Sequence, residues 1–339
     1  MLRHLTIIVS SSLVTFNVAR AAEPVTKCGP EARREAIARG LNLAQKAAAS
    51  YPSHRQCFSC HHQTLPMLAM VSARACGSDI DNELLQAQAD FSINSFRSTL
   101  PSIKEGRSVG GRALTVAYAL WALHIAGHRP DEMSEALVTF LFKTQESDGR
   151  WKPQTHRPPM EESAVTCTVL SALAIGWYAT PDQRQQADEV VNKAKAWLAE
   201  APRESQEDRV SWLWGLHKLG FDQDKVNAAR KAVLAAQRDD GGWAQLDSMD
   251  SDAYATGQTL WVLRQTGLEP SDAAYERGVA FLLKAQRDDG SWFVETRSRP
   301  VQVFFDNGDP HGKNQFISMP ATCWAVAALA AAAEPPKAP

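Results

Sequence analysis

The sequence predicts an all-α fold, a closed ring of six helix pairs, on three observations. One turn motif, Gln-x-x-Asp-Gly-x-Trp, occurs three times, at residues 145–151, 237–243 and 286–292. Helices of two kinds alternate around these turns: one apolar along a single stripe, as in 135–144 and 277–285, the next apolar almost all round. Glycines 77, 127, 176, 220 and 267 close the second kind about every 47 residues, a spacing within the range of helical repeats.

Composition narrows the class first. A chain of 339 residues, 44% hydrophobic and 22% charged, is that of an ordinary folded protein. It is long enough to bury a core without disulfides to hold it. A net charge of −2 lacks the basic footprint of a nucleic-acid binder, so no nucleic acid is expected as partner.

Along the chain, residues 1–22 read as a signal peptide. Arg3 and His4 precede an apolar run from Leu5, and Ala19-Arg20-Ala21 supplies the small-x-small cleavage pattern. The run is too short for a permanent membrane span, so the expected location is secreted, in an oxidising periplasm. Residues 23–333 then make up the ring. The all-round apolar helices fall at 63–77, 113–127, 163–176, 210–220, 253–267 and 321–333. A helix apolar on every side is buried on every side, while a striped one lies at a surface. The first kind therefore forms an inner ring and the second an outer one. An open solenoid needs a polar cap at its end; the last inner helix, around Trp324, Val326 and Leu329, has none, so closing on the first repeat is the better solution. In the turn motif the glycine supplies a left-handed residue, and the tryptophan packs back as a large apolar contact. Residues 334–339, mostly Pro and Ala, read as a disordered tail.

Chemistry concentrates near the N-terminus. Cys57-Phe58-Ser59-Cys60-His61 is the attachment pattern of a c-type haem: two thiols bond the vinyl groups and the histidine ligates the iron. The same residues also fit a Cys57–Cys60 disulfide, or a zinc site completed by His61 or His62. Cys167 and Cys323 lie in apolar helical runs and read as buried thiols. The inner helices run parallel, so their N-termini gather at one mouth. That mouth would hold His61, His62, Arg112, Glu161, Glu162, Asp208, Arg209, Asp252, Tyr254 and the stretch 311–315. Glu161 and Asp208 read as helix caps, and six dipole ends there favour an anion. On the haem reading His61 is the proximal iron ligand. His311, on the long loop 297–315, is the distal ligand, and Arg112 and Arg209 hold the propionates. A redox partner protein, or a reaction on a ligand in the lumen, would follow.

The turn motifs, with Gly278, Phe281 and Leu282 ahead of the third, resemble the QW repeat of the squalene–hopene cyclase and protein prenyltransferase superfamily over about residues 30–333. Residues 57–66, 252–258 and 310–318 resemble squalene-cyclase-like repeat proteins with an N-terminal CxxCHH segment. The resemblance implies an (α/α)6 barrel, or toroid, and a small hydrophobic or isoprenoid-like ligand. It adds two functional alternatives: a terpenoid-type cyclase or isomerase with Asp252 or Glu162 as acid, and a non-enzymatic lipid-binding module with a Cys57–Cys60 disulfide. The family's cyclases protonate an alkene with Asp-x-Asp-Asp, which is absent; Asp250-Ser251-Asp252-Ala253 lacks the final carboxylate. Of the prenyltransferase zinc ligands, Tyr254 replaces a cysteine and Ala321 a histidine. Squalene is therefore expected not to be cyclised.

Overall fold

The computed structural model describes residues 29–299 and 303–333; the signal segment, Cys28 and the 334–339 tail lie outside them. Thirteen α-helices follow in order. They are α1 (Pro30–His54), α2 (Thr64–Ala75), α3 (Asn82–Asn94), α4 (Leu100–Lys104), α5 (Arg112–Ile125), α6 (Glu132–Thr144) and α7 (Ala164–Tyr178). Then come α8 (Arg184–Glu200), α9 (Gln206–Lys218), α10 (Gln223–Ala235), α11 (Ala253–Gln265), α12 (Ala273–Ala285) and α13 (Gln315–Ala331). Setting aside the short α4, these make six pairs in two concentric layers. Helices α2, α5, α7, α9, α11 and α13 form the inner ring, each packed on the next and α13 back on α2. Helices α1, α3, α6, α8, α10 and α12 form the outer one. Among the described residues there is no strand, only two isolated β-bridges, and no helix is long and apolar enough to cross a membrane.

The repeated turn is a fastening. In each copy the indole is fully buried and donates to an outer-helix carbonyl: Trp151 to Leu141, Trp243 to Val233, Trp292 to Leu282, at 2.7–2.9 Å. The glutamine amide donates twice, once within its own turn and once to the next outer helix. Gln145 reaches Val190, and Gln237 reaches Ala274. Gln286 reaches Ala36 on α1 at 2.9 Å, so the third copy closes the ring. Arg33 strengthens that seam by donating to the Ala332 carbonyl at 2.9 Å. The glycine is required twice over: at Gly241 φ is +86°, and an added Cβ would lie 2.6 Å from the Arg277 carbonyl oxygen.

Two boundaries differ from the sequence pattern. Gly176 lies inside α7, which continues to Tyr178 and ends at Ala179. Helix α13 begins at Gln315, ahead of its apolar stretch, because its early polar groups bond the incoming loop. Gln315 Nε2 donates to the Phe305 carbonyl, and Ser318 Oγ to that of Val294.

The lumen is filled. Trp121, Trp214, Trp261 and Trp324, one each from α5, α9, α11 and α13, meet with ring centroids 5.2–6.3 Å apart. They leave about 10 Å³, room for roughly one water molecule.

Candidate functional site

The segment between α1 and α2 folds as a tight turn at the mouth. The Ser59 carbonyl accepts from the backbone N–H of His62 and Gln63, at 3.2 and 2.9 Å. Gln63 locks the turn from inside: its Oε1 accepts from Ser59 N at 2.8 Å, and its amide donates to Gln88 at 3.2 Å. Cys57 is left exposed and Cys60 half-buried, both as free thiols. Cys57 Sγ lies 3.5 Å from the Tyr51 hydroxyl.

The two histidines differ. His62 is fully buried, stacked on Tyr51 at 4.4 Å, with its Nε2 2.6 Å from Asn307 Nδ2. His61 is half-buried and has its Nδ1 3.2 Å from Ser59 Oγ. It lines both lobes of a cleft, as do Arg157, Glu161 and Phe316. One lobe adds Met160, Ile317, Arg299 and Lys313. The other adds Cys60, Tyr51, Tyr118 and Phe305. Burial, helped by the Arg157 charge, pushes His61 down to about 3. Burial also drives His62 well below the usual imidazole range, so both rings are neutral. Burial, then the charge of Glu161, pushes the Cys60 thiol up to about 12.

No family model matches the chain. A 166-residue stretch is 25% identical to lanosterol synthase of Candida albicans; the match covers 40% of this chain and only 22% of that enzyme. Among solved structures, the type II terpene cyclase MstE from Scytonema superposes with a TM-score of 0.54 at 16% identity, covering 90% of this chain and 99% of that one. An unsaturated glucuronyl hydrolase specific for heparin reaches 0.58 at 10% identity, covering 90% and 98%. What these structures share with the chain is the fold, a barrel of paired helices.

Within this barrel several expected site residues are engaged elsewhere. His311 does not line the cleft: its Nε2 is 2.6 Å from Ser291 Oγ and its ring meets Phe293 at 5.1 Å. Placing it opposite His61 is corrected by the loop, which carries it to the Asp289–Ser291 turn instead. Arg209 forms a surface pair with Asp247 at 2.9 Å. Arg112 is exposed, and its neighbour Gly111 lines the cleft in its place. The cleft's cations come from Arg157, Arg299 and Lys313, which the sequence pattern does not mark because they lie on irregular segments.

The acids also move. Glu161 is not a cap; it pairs with Arg157, whose Nε is 2.7 Å from Oε2, and Ser163 caps α7 by accepting from Thr166 N. Asp208 completes a capping box with Ser205. Glu162 accepts from Arg297 at 2.7 Å. Asp252 caps α11 and accepts from Gln245, and burial raises its pKa to about 6. One buried carboxyl, bonded to the lumen-lining Thr166, carries no mark in the sequence pattern. Glu207 accepts from Thr166 at 2.9 Å and from Tyr254 at 3.0 Å, and burial pushes it up to about 7.

Proposed function

We propose that the protein is exported to the periplasm and carries one covalent c-type haem at the Cys57–His61 turn, serving electron transfer or a haem-linked reaction in the cleft. The observation that carries this reading is the placement of His61. It is neutral and faces two lobes of one cleft, its Nδ1 is held by Ser59, and its Nε2 makes no hydrogen bond among the described residues. Such an imidazole can offer its Nε2 lone pair to iron. The donor set fits haem better than zinc. Zinc needs its ligands to converge on one point, and among the described residues no three His, Cys, Asp or Glu side chains do so. Thioether links need no convergence, since each thiol adds its S–H across a separate vinyl group at the rim of the macrocycle. Bound haem would supply a one-electron couple at its iron. Cys57 and Cys60 would tether it, His61 would ligate it, and Arg299 and Lys313 on the cleft rim would face its carboxylates.

The test is the absorption spectrum and mass of protein matured with a cytochrome c assembly system. A Soret band and a mass gain of one haem are expected, both lost in the Cys57→Ala, Cys60→Ala double variant. No Soret band, with Cys57 and Cys60 joined to each other, overturns the proposal.

A second reading has Glu207 behind it. A carboxyl raised by burial to about 7 inside the barrel suits acid catalysis on an isoprenoid better than Asp252, raised only to about 6, or Glu162, paired with the Arg297 cation. The tryptophans leave such a substrate no room beside it.

A further inference from the structure

Three polar atoms at the barrel axis have no hydrogen-bond partner among the described residues: Nε1 of Trp214, Nε1 of Trp324 and Oε1 of Gln258. Their residues are only 6%, 3% and 4% exposed, and burying an unpaired polar atom is costly enough that such atoms are rare in folded chains. All three residues line one cavity of about 10 Å³, together with Thr166 and Ser211. The indoles of the repeated turns set the contrast, since Trp151, Trp243 and Trp292 each donate to a carbonyl.

The pattern of donors and acceptors selects what fits there. An indole only donates and an amide oxygen only accepts, so the ligand must accept twice and also donate. A bare cation offers no lone pair and a halide no proton. Water offers two of each, and the cavity has room for about one. Its second proton has a place to go. An ionised Glu207 only accepts; Thr166 gives it a proton at 2.9 Å and Tyr254 another at 3.0 Å. Ser211 Oγ, 2.7 Å from Thr166 Oγ1, then donates to Thr166 and keeps its lone pairs for the cavity. We propose that the barrel axis binds one water molecule through Trp214, Trp324, Gln258 and Ser211, and that Ser211 is a positioning residue linking this water, by way of Thr166, to the Glu207 carboxylate. The inference goes beyond the haem reading and does not depend on it.

The full chain labelled with 15N-tryptophan tests the water directly. In rotating-frame Overhauser spectra, the Nε1–H resonances of Trp214 and Trp324 should show cross-peaks to water with the sign of close contact, not of proton exchange. The carbonyl-bonded indoles of Trp151, Trp243 and Trp292 should show none, and their unchanged positions report that a variant is folded. Gln258→Leu replaces the acceptor by an apolar group and should abolish both cross-peaks, although it alters neither indole. The Glu207 carboxyl, followed by 13C resonance against pH, gives the second readout. Ser211→Ala should move its midpoint up by roughly one unit, because the Thr166 hydroxyl is no longer held toward the carboxylate; Ser211→Thr should restore it. Wild-type protein without cross-peaks at Trp214 and Trp324 overturns the proposal whatever the variants do. Cross-peaks that persist in Gln258→Leu, or a Glu207 midpoint unmoved by Ser211→Ala, overturn it as well.

Discussion

Glu207 shows how burial alone retunes one side chain. Its pKa rises from 4.5 to about 7, so between those values the folded chain holds a proton that the unfolded chain has lost. Stability therefore falls as pH rises through that window and levels off above about 7. The full cost is on the order of 3 kcal/mol. Asp252 and Asp309, both raised to about 6, shift in the same direction and shape the lower part of the window. Glu207→Gln should thus flatten the melting temperature between about pH 6 and 7.5, where the wild type declines; an unchanged slope in thermal melts would refute the assignment. Nothing in Ser205-Gln206-Glu207-Asp208-Arg209 singles out this residue, because acids at a helix start read as caps. Only the inward turn of α9 against α7 and α11 separates the buried Glu207 from the capping Asp208. The cleft partners of His61 were equally illegible: Arg157 and Phe316 reach it from loop and helix start far along the chain. The cysteine–histidine turn itself was plain, since its five residues are contiguous.

At the scale of elements, the glutamine–tryptophan turn was readable because its whole chemistry sits within seven residues. What the pattern does not display is the second bond of each glutamine, which reaches the next outer helix. Gly241→Ala should cost the left-handed penalty of about 1–2 kcal/mol plus the displacement of Arg277, whose carbonyl oxygen would lie 2.6 Å from the new Cβ. Gly127→Ala is the matched control: φ is +70° and nothing lies within 4 Å, so only the backbone penalty applies. Urea midpoints should rank the two in that order, and equal losses would mean that the close approach to the next helix is unimportant. Trp243→Ala removes a fully buried indole and should cost about 3–5 kcal/mol. The early start of α13 escaped the pattern because Gln315 and Ser318 look like loop residues until the loop they bond is in place.

Taken whole, the molecule keeps the barrel of terpene cyclases and plugs its axis with indoles. Incubated with squalene, the protein should yield no polycyclic product by mass spectrometry. A hopene-like product that disappears in Glu207→Gln would show that the tryptophans part to admit substrate. Closure of the ring has a consequence in time as well as in space. The seam joins Arg33 to Ala332, 299 positions apart, so it cannot form until the last helix has left the ribosome. At about 5–20 residues per second the first helix waits roughly 15–60 s for its neighbour. Throughout that interval the apolar flanks of α1 and α2 stand open, and whatever meets the chain then meets an unfinished ring rather than a folded one. A toroid sealed between segments so distant in sequence is, until its last helix emerges, an open chain.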